Sequence, residues 1–187
     1  MGLSQADGGR VGRRGRLLAG READLRVLLD ALHAAESGHG SAVALTGDAG
    51  IGKSAVAERL ATLAREDGWH VGWGAGWDAT RRPPYAPWEQ AVRGVISAAH
   101  VDNGPSTEAA APDIGLAVTD VLTVEVARSQ DYTGVVDRLR SLSQRQPVLV
   151  VLDDLHWFDP DSLALLEHVL PELRDMRVVL LVTARDA

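Results

Sequence analysis

The chain has 187 residues, 45% of them apolar and 24% charged, with a formal net charge of −7. That is the length of one domain and the mix of an ordinary globule, and the acidic balance argues against direct nucleic-acid binding, which calls for a basic face. There is no cysteine, which excludes disulfides and thiolate metal sites, and no apolar run reaches the length needed to cross a membrane.

Residues 1–16 (MGLSQADGGRVGRRGR) are rich in Gly and Arg without periodicity, and are expected to be a disordered lead. Its arginines are followed by no apolar stretch of the signal-peptide kind, so the expected location is cytoplasmic. Leu25, Leu28, Leu29 and Leu32 fall at helical spacing within 21–35, and SGHGS (37–41) then breaks the chain. The apolar run 42–46 (AVALT) leads straight into a Gly-rich loop and is expected to be a buried strand. Residues 53–66 read as a helix with Val56, Leu60 and Leu63 on one face, ended by Gly68, and 69–76 as a second strand. Prolines make 81–87 (RRPPYAP) a loop. Residues 88–99 read as a helix, 100–113 as a polar linker, and 114–127 fit both the helical and the strand period. Tyr132, Val135, Val136, Leu139 and Leu142 make a helical stripe within 131–144. Pro147 opens VLVVL (148–152), a run typical of a strand covered on both faces. Asp159-Pro160 marks a helix start, a capping carboxylate followed by proline in the first turn. That helix carries Leu163, Leu166, Val169 and Leu170, and VVLLVT (178–183) is another buried strand. Trp69, Trp73, Trp77 and Trp88 are read as packing residues, and Trp157 as core ahead of function. Strands alternating with helices imply an α/β fold: a mostly parallel sheet with helices on both faces.

The loop between the first strand and its helix carries the most specific chemistry. GDAGIGKS (Gly47–Ser54) satisfies G-x-x-x-x-G-K-[ST] in full. Glycines at 47, 50 and 52 let the backbone turn tightly enough for successive N–H groups to point inward at phosphates. The cradle is read as Gly47, Asp48, Ala49, Gly50, Ile51, Gly52, Lys53, Ser54 and Ala55. Lys53 reaches the β- and γ-phosphates, the Ser54 hydroxyl is the expected Mg2+ ligand, and the following helix offers its positive end to the same anion. Lys53 is the single lysine in a chain with 18 arginines. A compact ammonium is needed there, which a planar guanidinium does not replace.

The strand at 148–152 ends in two aspartates. Asp153 is expected to hold Mg2+ through water. Asp154 sits where many ATPases place the carboxylate that orients the attacking water, although Asp is one methylene shorter than Glu. At the tip of the 178–183 strand, Thr183 and Arg185 are candidates to sense the γ-phosphate, Arg185 being the catalytic candidate.

LLAGREADL (17–25), GDAGIGKS, YAPW (85–88), VLVVLDDLHWFDPDSLALLEHV (148–169) and VVLLVTARD (178–186) together resemble the ATP-binding domain of STAND-class NTPases. More narrowly, they resemble the large ATP-binding regulators of the LuxR family and their AAA-ATPase relatives. The resemblance runs from residue 17 to the end and is most specific at the acidic strand with its trailing His156 and Trp157. It implies a P-loop NTPase fold of the AAA/STAND kind, a three-layer sandwich that binds ATP and Mg2+ as a signalling switch in transcription regulation. It also implies that Gly20 and Arg21 lie near the nucleotide and that His156 and Trp157 pack beside the active site. Such sheets order their strands 5-1-4-3-2, and this chain offers four candidates. The edge strand next to the cradle strand and the helical lid are therefore expected to be missing. Residues 17–187 are read as a C-terminally truncated domain, with self-association or a protein partner supplying the lid.

The leading function is thus a nucleotide-binding switch with weak or no ATPase activity alone. A small-molecule phosphotransferase, with Arg81-Arg82 on a lid, and a non-functional fragment of a larger regulator are the alternatives. No residue pattern selects guanine, and the preference for ATP comes from the resemblance.

Overall fold

The computed structural model describes residues 20–77, 83–102 and 132–186. The lead at 1–16, the ambiguous stretch 114–127, nearly all of the 100–113 linker and the Arg81-Arg82 pair lie outside them. The elements in chain order are α1 (Glu22–Glu36), β1 (Ser41–Leu45), α2 (Lys53–Glu66), β2 (His70–Ala75), α3 (Ala86–Asp102), α4 (Thr133–Arg145), β3 (Val148–Asp153), a 3-10 turn (Leu155–Trp157), α5 (Pro160–Val169), a second 3-10 segment (Leu170–Asp175) and β4 (Val178–Thr183).

The four strands form one parallel sheet in the order β1-β4-β3-β2. Every residue of β3 and β4 is buried. Their side chains alternate between two cores, as the period of two demands. Val148, Val150, Leu152 and Leu180 meet α3, α4 and α5 on one face. Leu149, Val151, Val179 and Leu181 meet α1 and α2 on the other. Each such aliphatic side chain contributes about 1.5–3 kcal/mol of burial. The result is the expected three-layer α/β sandwich.

Several expectations are corrected. The first strand is not buried on both sides: Ala42 and Ala44 are exposed, while Leu45 packs under α1 and α2. It is the edge of the sheet among the described residues, and helices cover only one of its faces. The helix after the 81–87 loop begins at Ala86, with Pro87 in its first turn, where a missing N–H costs nothing. Tyr85 precedes it with φ 65°, and its phenol is pushed up to about 12 by burial and by the Tyr132 hydroxyl. In α5 the buried positions are Ser162, Leu165, Leu166 and Val169, whereas Leu163 is exposed, as is Leu170, which falls in the 3-10 segment after the helix. Trp77 and Trp157 are also exposed, at 44% and 37%, while Trp69 and Trp88 are core.

The start of α5 is fixed by Asp159, as its sequence predicts. Its Oδ1 accepts the Ser162 N–H at 2.8 Å and its Oδ2 accepts the Ser162 hydroxyl at 2.6 Å. The Ser162 carbonyl in turn accepts Trp88 Nε1–H at 3.0 Å, tying α5 to α3. Asp159→Ala is expected to lower unfolding free energy by about 0.5–2 kcal/mol in urea denaturation.

Candidate functional site

Ligands of open parallel sheets bind beyond the carboxyl ends of the strands, and the motif residues gather there. From β1 the chain enters the 46–52 loop, whose glycines take φ values of 143° (Gly47), 78° (Gly50) and 97° (Gly52). These are conformations open to glycine at little cost. Gly52 is also the cap of α2. No acidic side chain lies in the first turn of that helix, so no carboxylate of its own competes for the unpaired N–H groups there.

Lys53 is 7% exposed, and its ammonium turns back over the loop. Nζ donates to the carbonyl oxygens of Gly47 at 2.7 Å and Asp48 at 2.9 Å. Two of its three N–H groups hold the loop in shape, and one remains for an anion.

The next residue joins the loop to the acidic strand. Ser54 Oγ donates to Asp153 Oδ1 at 3.1 Å, across 99 positions of sequence. Asp153 ends β3 and is 8% exposed. The same Oδ1 accepts the Thr183 hydroxyl from the end of β4 at 2.5 Å. Two hydroxyl groups thus hold one carboxylate oxygen, leaving Oδ2 as the oxygen for another partner.

The expected neighbours are placed unequally. Arg21 lies at the cradle: a β-carbon on Gly47 would stand 3.8 Å from its Nη2. Its Nη1 pairs with Asp24 at 2.7 Å, while Nη2 is buried with no hydrogen-bond partner. A buried guanidinium donor without an acceptor, beside a loop shaped for phosphate, fits an anionic ligand. Gly20 is exposed with φ 87°, its N–H given to Glu22 Oε2 at 3.0 Å. Asp48, Ala49, Gly50 and Ile51 form the exposed tip of the loop, and Ala55 is half-buried in the first turn of α2.

Asp154 adopts φ 61°, ψ 54°, the left-handed region. Its Oδ1 is 3.8 Å from His156 Nδ1, within its own turn. His156 in turn packs against Trp157 with the rings tilted by 42° and their centroids 5.1 Å apart. Arg185 is exposed, two positions beyond β4. The structure therefore brings Lys53, Ser54, Asp153 and Arg21 to one corner, while the Asp154 carboxylate stands near His156 and Arg185 is exposed.

The residues that sequence reasoning missed in this role are Asp24, which holds Arg21, and Thr183 as a partner of the acidic pair. The signal for Thr183 was present: a lone hydroxyl closing a strand that is otherwise aliphatic.

The sequence model of the AAA ATPase domain family matches residues 17–182. An uncharacterised protein of Rhizobium meliloti (strain 1021) is 27% identical over a 201-residue alignment that covers 94% of this chain. The chain spans 19% of the length of that curated relative. Among solved structures, the Aeropyrum pernix ORC2 protein, in its ADPNP–ADP complexes, is similar over 99% of this chain and 43% of its own, with 18% identity and a TM-score of 0.41.

Proposed function

Because the chain belongs to the AAA ATPase domain family, we propose that Gly47–Ser54 hold the phosphates of ATP together with Mg2+, and that the domain works as a nucleotide-dependent switch with little hydrolysis of its own. The observation that carries this reading is the convergence of Lys53, Ser54 and Asp153 on one buried corner, through the Ser54–Asp153 hydrogen bond. Loop N–H groups and the third N–H of Lys53 meet the phosphate oxygens. The Ser54 hydroxyl and Asp153 Oδ2 are the oxygen donors a hard divalent cation prefers. When bound, Mg2+ neutralises charge on the phosphate oxygens.

Slow hydrolysis is inferred from Asp154. Its carboxylate stands 3.8 Å from His156 Nδ1 and Arg185 is exposed beyond β4, so neither side chain is tied to the loop. The finer assignment, a switch within a LuxR-type transcription regulator, rests on the five segments that carry the resemblance, most specifically on the acidic strand with its trailing His156 and Trp157, and a cytoplasmic location is part of the same proposal. Self-association or a partner that completes the pocket belongs to the same proposal. No helix among the described residues is long and apolar enough to cross a membrane.

The test is a titration of the purified chain with a fluorescent ATP analogue, with and without Mg2+. Micromolar binding that unlabelled ATP displaces and EDTA weakens is expected. Asp153→Asn should raise the Mg2+ concentration needed by about 10-fold or more. A folded chain that binds no nucleotide overturns the proposal.

A further inference from the structure

Thr183 meets three conditions that a phosphate sensor does not. It is fully buried, at 0% exposure. Its single O–H is donated to Asp153 Oδ1. Its oxygen also accepts the backbone N–H of Asp154 at 2.8 Å. A threonine hydroxyl has one hydrogen to give, and here that hydrogen is committed within the protein. The hydroxyl thus links β4 to both members of the acidic pair and faces away from solvent.

We infer that Thr183 is a positioning residue for the cation site: it fixes the Asp153 carboxylate and the Asp154 turn so that one oxygen of Asp153 is presented to the divalent cation. This deepens the nucleotide reading above and rests on it. Oδ1 of Asp153 accepts two hydroxyl groups, one from Ser54 at the start of α2 and one from Thr183 at the end of β4. Two anchors on one oxygen stop the carboxylate from rotating, and the direction of Oδ2 is set before any cation arrives. Ser54 is held by the same oxygen, so both proposed cation ligands are oriented through one atom.

The contact to Asp154 does a second job. Asp154 is one of the two described non-glycine residues at positive φ, a region that such residues seldom adopt. Its N–H is held there by the Thr183 side-chain hydroxyl of the neighbouring strand β4. The chain therefore turns just after Asp153, with the Asp154 carboxylate 3.8 Å from His156 Nδ1. Threonine suits this position because its branched β-carbon packs like valine in a fully buried strand while carrying the hydroxyl. Partners one step behind metal ligands, which orient those ligands by hydrogen bonds, commonly change metal affinity by about 10–100-fold when removed.

The experiment uses the full chain with ADP present and measures Mn2+ binding by loss of the free-ion EPR signal. Nucleotide affinity in EDTA is measured in parallel by fluorescence. Thr183→Val keeps shape and removes the hydroxyl. It is expected to weaken Mn2+ by about 10–100-fold while leaving the cation-free nucleotide affinity unchanged, and Thr183→Ser is expected to restore the cation. Should the valine variant fail to fold, Thr183→Cys against Thr183→Ser makes the same comparison, because the two differ mainly in donor strength. Unchanged Mn2+ affinity in the variant overturns the inference, as does an equal loss of cation-free nucleotide binding, or a serine variant that behaves like valine. Absence of nucleotide binding by the wild-type chain would instead remove the underlying reading, and this inference with it.

Discussion

Replacing Lys53 by alanine is expected to weaken binding of Mg2+–ATP by about 100-fold or more, since hydrogen bonds from a charged donor contribute about 1.5–3 kcal/mol each and every 1.4 kcal/mol is tenfold. The loss has two sources. The ammonium is the one buried cation of the loop itself, at 7% exposure. It also ties the Gly47 and Asp48 carbonyls together at 2.7 and 2.9 Å. Alanine frees those carbonyls, so the loop has to be ordered by the ligand, at an entropic cost that the wild-type chain has already met. Lys53→Arg is expected to fail as well. A guanidinium forms a planar fork and cannot point its hydrogens at two converging carbonyls and a phosphate together. The fluorescence titration measures this directly, with thermal unfolding run beside it to show that α2 is intact. A Lys53→Ala chain that binds within about threefold of wild type, a difference of well under 1.4 kcal/mol, would mean that the nucleotide sits elsewhere.

The parts of this arrangement that were readable in the sequence are those decided locally. The helix 53–66 and the strand 178–183 have the same bounds in the structure as in the sequence reading, because a glycine-rich turn, an alanine-rich run and an unbroken aliphatic run each leave few alternatives. The pairing of Ser54 with Asp153 could be expected from the motif types, and the sheet order makes it possible. What sequence could not show depends on neighbours that are distant in the chain. Ala42 and Ala44 have the composition of a buried strand and are exposed because their position is at the sheet edge. Leu163 fits a helical stripe, but Ser162 takes the inward place because its amide and hydroxyl both serve the Asp159 cap and its carbonyl accepts from Trp88. The turn at Asp154 is held by one hydroxyl 29 positions away. The exposure of Trp157 follows from that turn, since Trp157 N–H is bonded back to the Asp154 carbonyl at 2.9 Å.

Gly74→Ala is expected to be the most destabilising single methyl addition in the second strand. Glycines 72 and 74 stand on the face of β2 turned to α3, while Val71 and Trp73 face the other core. A β-carbon on Gly74 would overlap the Pro87 carbonyl oxygen, and one on Gly72 would overlap that of Ala91. Both obstacles are backbone, so no rotamer change relieves them. The helix has to lift from the sheet, and Trp88, 1% exposed and bonded to α5, has to lift with it. Overpacking of this kind costs about 1–3 kcal/mol and sometimes more. For a domain of this size, that corresponds to a fall of roughly 2–12 °C in Tm at about 2–4 °C per kcal/mol. Val27→Ala on α1, where the side chain is 59% exposed, serves as the comparison and should stay within about 0.5 kcal/mol of wild type. The double variant Gly72→Ala with Gly74→Ala separates two pictures of the contact. If α3 moves as a rigid body, one outward shift relieves both clashes, and the double should lose less than the sum of the singles. Additive losses, read from urea denaturation of all four chains, would mean that α3 bends locally at each glycine. The close approach would then be two separate contacts, with no single rigid seam between helix and sheet.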